Sequence, residues 1–379
     1  MKRVGINAIV LNSESGGLGI YLRNLIDYLS EAGHEFEPRI FLSKDAYQNS
    51  VVGIKNGIVR PLNVLSYKPK NRILREPFIW PRALSDNKID LFHSTLSYIP
   101  FGVNVPSIIT IHDLGFFHFP DNYTRLRRIF LERMITRSVE KSMKILAVSA
   151  FTKEDIINTF GISPDKISVI YEGIDAEKFQ RKYSKVDLEI IKRKYNLPEK
   201  YILSVGHLEP RKNYLRLIEA FDLLKRKYQL PHKLIIVGRE NWKFTSIYDL
   251  TRRLGLKDLV LFTKFVDEKD LPALYQSAEV FVAPSIFEGF GFTPLESMAA
   301  GTPVAASNAT SIPEVVGDAA LFFNPNDMNE IAEKTYELII DKDLQDTLID
   351  RGYDNIKRFR WHECCTRTAE EYQNILKQI

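Results

Sequence analysis

Glu288 and Glu296 stand with seven residues between them in the run EGFGFTPLE, on either side of a glycine turn that leads into a helical pattern. Carboxylates placed this way accept hydrogen bonds from sugar hydroxyls, and backbone N–H groups at a helix start attract phosphate. Before the turn, FVAPS from Phe281 to Ser285 has the pattern of a buried strand, so the turn is expected at a strand's C-terminal end, where open α/β sheets bind ligands. A structural reading competes for one carboxylate. Thr293-Pro294-Leu295-Glu296 also fits a capping box, in which Glu296 reaches back to the N–H of its own cap. Glu288, between Phe287 and Phe290 and beside a glycine, fits neither a cap nor a core pattern, and a polar ligand is its better explanation.

Arg211 and Lys212 lie in YILSVGHLEPRKN, after an expected strand and before an expected helix from Tyr214 to Lys225. Cations belong at the opposite end of a helix dipole, so these two read better as a diphosphate clamp than as helix charges. His112 ends the buried run SIITIHD and is expected in a loop at the ligand edge; a satisfied structural histidine is the competing reading, and it applies more strongly to His93 and His118. The first βα turn, SESGGLGIYLRNL, carries Gly16, Gly17 and Gly19 ahead of a helix with Leu18, Leu22, Leu25 and Leu29 on one face. A dinucleotide motif starting at Gly17 would need glycine where Leu22 stands, which leaves either a phosphate-approaching loop or a simple tight turn. No His/Glu spacing of a metal site occurs, and no metal is expected.

These residues need a scaffold of strands. Runs rich in Val, Ile and Phe recur between helical patterns at 4–10, 36–42, 57–62, 91–93, 107–111, 145–148 and 168–171, and again at 201–205, 233–237, 260–265, 280–283, 304–306 and 321–323. Such alternation predicts two doubly wound parallel α/β domains, and 379 residues exceed what one core usually serves. The charged segment Ala176 to Lys200 lacks strand character, so the hinge is placed there, with a cleft expected between the domains. From about His362 the chain is amphipathic through Cys365, Ala369, Tyr372 and Ile375.

The composition, 45% hydrophobic and 26% charged, excludes disordered and disulfide-rich classes. The only cysteines, Cys364 and Cys365, are adjacent, a poor geometry for a mutual bridge; a reducing, cytoplasmic setting is expected. No signal-peptide cleavage pattern follows Met-Lys-Arg, and no apolar run has transmembrane length. Residues 1–200 carry 30 Lys+Arg against 22 Asp+Glu, whereas 201–379 carry 22 against 26. Much of the basic excess falls between Tyr123 and Lys144, where Arg125, Arg127, Arg128, Arg133, Arg137, Lys141 and Lys144 alternate with Leu126, Ile129, Phe130, Leu131, Met134 and Ile135. This basic amphipathic pattern reads first as an apolar face on the domain with a solvated face outside. Peripheral docking on the inner face of an anionic membrane is the lesser reading, and nucleic acid is not expected because no recognition motif accompanies the charge.

Taken together, GGLGIYLRNL, TIHDLGFF, LEPRKN, EGFGFTPLE with SMAAGTPVAAS, and SIPEVVGDAA resemble, in order and nearly end to end, the family 4 retaining glycosyltransferases. HLEPRKN, IHDLGFFHFPDNY and VGRENW look most like bacterial GDP-mannose-dependent mannosyltransferases of O-antigen and exopolysaccharide assembly. The resemblance implies the GT-B fold, two Rossmann-like domains facing a cleft: 1–190 on the acceptor side, 191–361 binding the nucleotide sugar, and a helix from 362 to 379 crossing back to the first. It implies that Arg211 and Lys212 hold the donor diphosphate, Glu296 the ribose, and Glu288 the sugar hydroxyls, with Phe290, Gly291 and Phe292 contacting sugar and phosphate through their backbone. His112 would face the reacting sugar, Gly16 and Gly17 the phosphate and acceptor side, and Gly238 and Val266 the nucleobase. The chain departs from the family where many members have Asn-Gly-Val-Asp and this one has Glu172-Gly173-Ile174-Asp175, and where His207 replaces a frequent Arg.

The expected reaction is transfer of a hexose, mannose from GDP-mannose, to a saccharide or lipid-linked saccharide acceptor, with retention and without a cofactor or metal. A UDP-sugar donor, a noncatalytic nucleotide-sugar binding protein and a nucleotide-sugar epimerase are the alternatives.

Overall fold

Short runs of Val, Ile, Leu and Phe that can bury both faces form parallel strands, and thirteen of them do so here among the described residues. The computed structural model describes residues 1–11, 16–31, 33–48, 58–62, 69–120, 124–241 and 243–379, the side chains of 69–74 excepted. One parallel sheet contains β1 (Arg3–Ala8), β2 (Glu37–Ser43), β3 (Val59–Leu62), β4 (Leu91–Ser94), β5 (Ser107–Ile111), β6 (Lys144–Ala147) and β7 (Ile167–Val169), in the order β3-β2-β1-β4-β5-β6-β7. The other contains β8 (Tyr201–Val205), β9 (Lys233–Val237), β10 (Val260–Lys264), β11 (Val280–Ala283), β12 (Val304–Ser307) and β13 (Ala320–Phe323), in the order β10-β9-β8-β11-β12-β13. Both sheets are doubly wound. The winding reverses beside β1 in the first and beside β8 in the second, which are the positions where such sheets open a ligand crevice.

The strand expected over 4–10 stops at Ala8, because the Leu11 N–H returns to the Ala8 carbonyl at 3.1 Å and closes a turn. Residue 57, expected to open a strand, lies outside the described residues. The Arg125–Lys141 helix forms, but it does not seat its whole expected apolar side. Met134, Ile135, Ser138 and Val139 are buried, whereas Leu126 is 82% exposed at the start of the helix. Helical spacing marks a face; tertiary packing decides how far along the helix that face is covered.

The chain divides into two units, Met1–Gly173 with Trp361–Ile379, and Ile174–Arg360. The division therefore falls ahead of the 190/191 boundary and the 176–200 hinge expected from charge. The charged helix Lys185–Tyr195 belongs to the second unit because its polar groups have partners there: the Tyr195 hydroxyl donates to Asp270 at 2.8 Å, and Lys194 pairs with Asp267 at 2.6 Å. At the other end, the helix Trp361–Leu376 joins the first unit, burying Cys364, Cys365, Ala369, Tyr372 and Ile375 with Tyr21, Leu22 and Leu25 of the helix Gly16–Leu29.

Candidate functional site

In the second unit, the loops after β8 and β11, neighbours at the winding reversal, bring three of the expected residues together. A short 3-10 turn, Pro210–Lys212, presents two cations to one carboxylate. Arg211 Nη1 donates to Glu288 Oε2 at 2.7 Å, and Lys212 Nζ donates to Glu288 Oε1 at 2.5 Å. The Ser285 hydroxyl adds a bond to Oε1 at 2.7 Å. Arg211 is itself bracketed, with Nε 2.6 Å from Glu209 Oε1.

Backbone bonds lock the loops around this cluster. The Ile286 N–H donates to the Arg211 carbonyl at 2.9 Å, and the Glu288 N–H donates to Thr310 Oγ1 at 3.0 Å. The Ser311 hydroxyl spans the carbonyls of Glu288 at 2.9 Å and Phe290 at 2.8 Å. Glu288 is buried, and burial pushes its carboxyl up; the charges of Lys212 and Arg211, with the bonds from Lys212 and Ser285, outweigh that and bring it down to about 2. The result is a preorganised ionic cluster in which both cations meet Glu288 and Arg211 also meets Glu209.

Gly291, at φ +114°, turns the chain from this loop into the helix Phe292–Ala299, a conformation that favours glycine. Because Gly291 and not Thr293 occupies the cap, the capping box does not form. Glu296 instead accepts a hydrogen bond from the buried Tyr275 hydroxyl at 2.8 Å, a partner the local spacing had no means of revealing. Burial raises the Glu296 carboxyl, opposed by the Tyr275 bond and by the charges of Lys178 and Lys212. The influence of Lys212 ties Glu296 electrostatically to the cationic cluster. Phe290 is buried, with its ring packed edgewise on Phe292 and Phe359.

Gly238 follows β9 and stands against the β8 edge so closely that a Cβ there would lie 1.9 Å from the Gly206 carbonyl oxygen. Gly206 in turn lies beneath Lys212, whose Cε would be 3.0 Å from a Cβ at that position. The Gly238 N–H donates to the Lys264 carbonyl at 3.0 Å, and Val266, two residues further on, is buried. Gly238 and Val266 therefore flank adjoining strand ends, β9 and β10, next to the cationic cluster. Nearby, Arg239 lies over the half-exposed Phe265 ring at 4.5 Å, an arrangement the sequence reading missed.

In the first unit, Gly16, at φ +55°, opens the helix that also contains Gly17 and Gly19, so these glycines begin the helix instead of preceding it. Tyr21 of that helix meets the His112 ring edge-on, with centroids 5.1 Å apart. His112 sits just past β5, with Nδ1 3.1 Å from Glu172 Oε1 and Nε2 buried without a hydrogen-bond partner among the described residues. The other two candidate histidines have structural roles. His93 is fully buried between the Tyr372 hydroxyl at 2.6 Å and Thr110 Oγ1 at 2.7 Å, and burial, with a smaller effect of His112, lowers its pKa to about 3. His118 pairs with Asp155 at 2.8 Å.

Among the described residues, no three His, Cys, Asp or Glu side chains converge where they could hold a metal ion. No helix among them is long and apolar enough to cross a membrane.

Comparison with known proteins places the chain in a family. Residues 187–355 match the family described as glycosyl transferases group 1, and residues 15–178 match glycosyltransferase family 4. The chain is 32% identical over 291 residues to O-antigen chain mannosyltransferase B of Escherichia coli, covering 77% of this chain and 76% of that protein. It is 33% identical over 220 residues to O-antigen chain mannosyltransferase RfbU of Salmonella typhimurium, 58% of this chain and 57% of that protein. Its fold is similar to that of sucrose-phosphate synthase from Thermosynechococcus elongatus, with a TM-score of 0.78 over the whole of both chains at 20% identity.

Proposed function

The chain belongs to glycosyltransferase family 4, and from that premise we propose that it moves mannose from GDP-mannose onto a saccharide or lipid-linked saccharide acceptor in cell-surface polysaccharide assembly, with retained configuration and no metal ion. The observation that carries this reading is the Arg211–Lys212 pair, held on Glu288 at the winding reversal of the second sheet. As the anomeric C–O bond breaks, negative charge grows on the departing diphosphate, and fixed cations in a water-poor site stabilise it most. Glu296 binds the ribose, Glu288 the sugar hydroxyls, and the backbone of Phe290, Gly291 and Phe292 the sugar and phosphate; Gly238 and Val266 border the nucleobase. Gly16 and Gly17 line the phosphate and acceptor side. His112 orients the transferring sugar. The acceptor oxygen forms its bond to the anomeric carbon on the face the diphosphate leaves, and a donor phosphate oxygen takes the acceptor proton.

The relatives named above support mannose, and a donor panel with product NMR tests it. Turnover with GDP-mannose, giving a product of unchanged anomeric configuration, is the expected result. Turnover with UDP-sugars alone refutes the donor assignment, an inverted product refutes retention, and altered sugar without transfer makes the protein an epimerase.

The lipid-linked acceptor is supported by the start of the Arg125–Lys141 helix, where the exposed Leu126 is flanked along the chain by Arg125, Arg127 and Arg128, the last paired with Glu132 at 2.7 Å. An apolar side chain among cations suits the surface of an anionic bilayer. At low salt, the protein is expected to sediment with phosphatidylcholine vesicles containing phosphatidylglycerol and not with phosphatidylcholine alone. Leu126→Ala combined with Arg125→Glu should weaken that binding several-fold, and equal sedimentation with both kinds of vesicle would remove the assignment.

A further inference from the structure

The first unit holds a carboxylate that the reaction above does not use. Glu172 is only 2% exposed, and its Oε1 lies 3.1 Å from His112 Nδ1. We propose that Glu172 is the positioning residue for His112: its carboxylate accepts a hydrogen bond from Nδ1–H and so fixes the tautomer that presents Nε2 as an acceptor to a hydroxyl of the transferring sugar. This inference rests on the assignment of His112 to that sugar.

The chemistry follows from what each group can do. A carboxylate only accepts hydrogen bonds, so beside a neutral imidazole it selects the tautomer with the hydrogen on Nδ1 and the lone pair on Nε2. That nitrogen is buried and lacks a partner among the described residues. A buried acceptor left unpaired is unfavourable, and a substrate hydroxyl supplies the missing bond on binding.

The surroundings hold both partners still. The Glu172 turn cannot shift toward the helix Trp361–Leu376, because the next residue, Gly173, is already packed so tightly that a Cβ there would lie 2.3 Å from the Trp361 backbone nitrogen. On the other side, the Tyr21 ring confines the imidazole, and the Tyr21 hydroxyl is tied to Thr110 Oγ1 at 3.3 Å. Thr110 is bonded in turn to the buried His93, so the wall behind His112 is part of the core. A lone structural ion pair would need neither the free Nε2 nor this confinement.

Long-range proton–nitrogen NMR of protein labelled with nitrogen-15 histidine reads the tautomer directly, the His112 signals being those lost in His112→Ala. The wild-type protein near neutral pH is expected to show a protonated Nδ1 and a bare Nε2, and Glu172→Gln a mixture of tautomers. In turnover, His112→Ala should lower kcat about 100-fold and Glu172→Gln about 10-fold, with KM for the donor changed less than kcat, and the double variant should be no slower than His112→Ala. Glu172→Asp, which keeps an acceptor, should retain the wild-type tautomer and lose less activity; it carries the comparison if the Gln variant does not fold. A hydrogen on Nε2 in the wild type, or losses that multiply in the double variant, overturns the role of Glu172 while leaving His112 in place. Full turnover in His112→Ala overturns the assignment of His112 to the sugar, and the inference with it.

Discussion

Lys212→Ala is expected to lower kcat by about 100-fold or more, a loss of roughly 2.7 kcal/mol of transition-state stabilisation. The ammonium is largely buried, with 12% of its side chain exposed, and it is held 2.5 Å from Glu288, so it is in place before any ligand arrives. A preorganised charge loses nothing to reorganisation when the diphosphate departs, whereas water entering the truncated site must reorient. Arg211 replaces it only in part, since its charge is shared between two carboxylates, Glu288 and Glu209. Removing one partner of a buried ion pair also costs stability. Here the loss falls below the usual 3–5 kcal/mol because Glu288 keeps Arg211 and Ser285. Single-turnover rates measured well below the melting temperature of the variant separate the two effects, and an unchanged rate under those conditions would dismiss the diphosphate role.

Glu288 makes the fold itself sensitive to acid. Its carboxyl titrates at about 2 in the folded protein against 4.5 as the ordinary value, so the folded state binds the proton less readily than the unfolded chain. The stabilisation is fully present above 4.5 and is lost as pH falls through that value toward 2. It amounts to about 3 kcal/mol, of which about 2 kcal/mol should disappear between about pH 6 and about pH 3. Glu288→Gln is expected to be less stable at neutral pH, because Lys212 and Arg211 lose their anion, and to lack this part of the acid response. Urea unfolding of both proteins at the two pH values gives the comparison. Parallel stability curves would show that Glu288 is not held ionised by its neighbours.

Much of the architecture was legible along the chain. Apolar runs such as SIITI and FVAPS announced β5 and β11, because a strand covered on both faces must be apolar at consecutive positions. The alternation with helical patterns implied parallel pairing, and the glycines at 289 and 291 marked a turn at a strand end. Where charge or spacing was ambiguous, local pattern misled. The Lys185–Tyr195 segment looked like a linker until Asp267 and Asp270 supplied its partners. Thr293 had the chemistry of a cap, but the left-handed turn at Gly291 had already started the helix.

By itself the sequence determined which functional groups exist, how they are spaced, and that two parallel α/β sheets would place them at strand ends, since those properties depend on neighbours along the chain. Tertiary structure alone decided who meets whom. Lys212 and Glu288 are 76 residues apart, His112 and Glu172 60, Tyr275 and Glu296 21, and nothing local selects one carboxylate over another at such separations. The selection comes from the sheets: their strand order sets which loops become neighbours, and burial then makes an unpaired charge or hydroxyl too costly to leave without a partner.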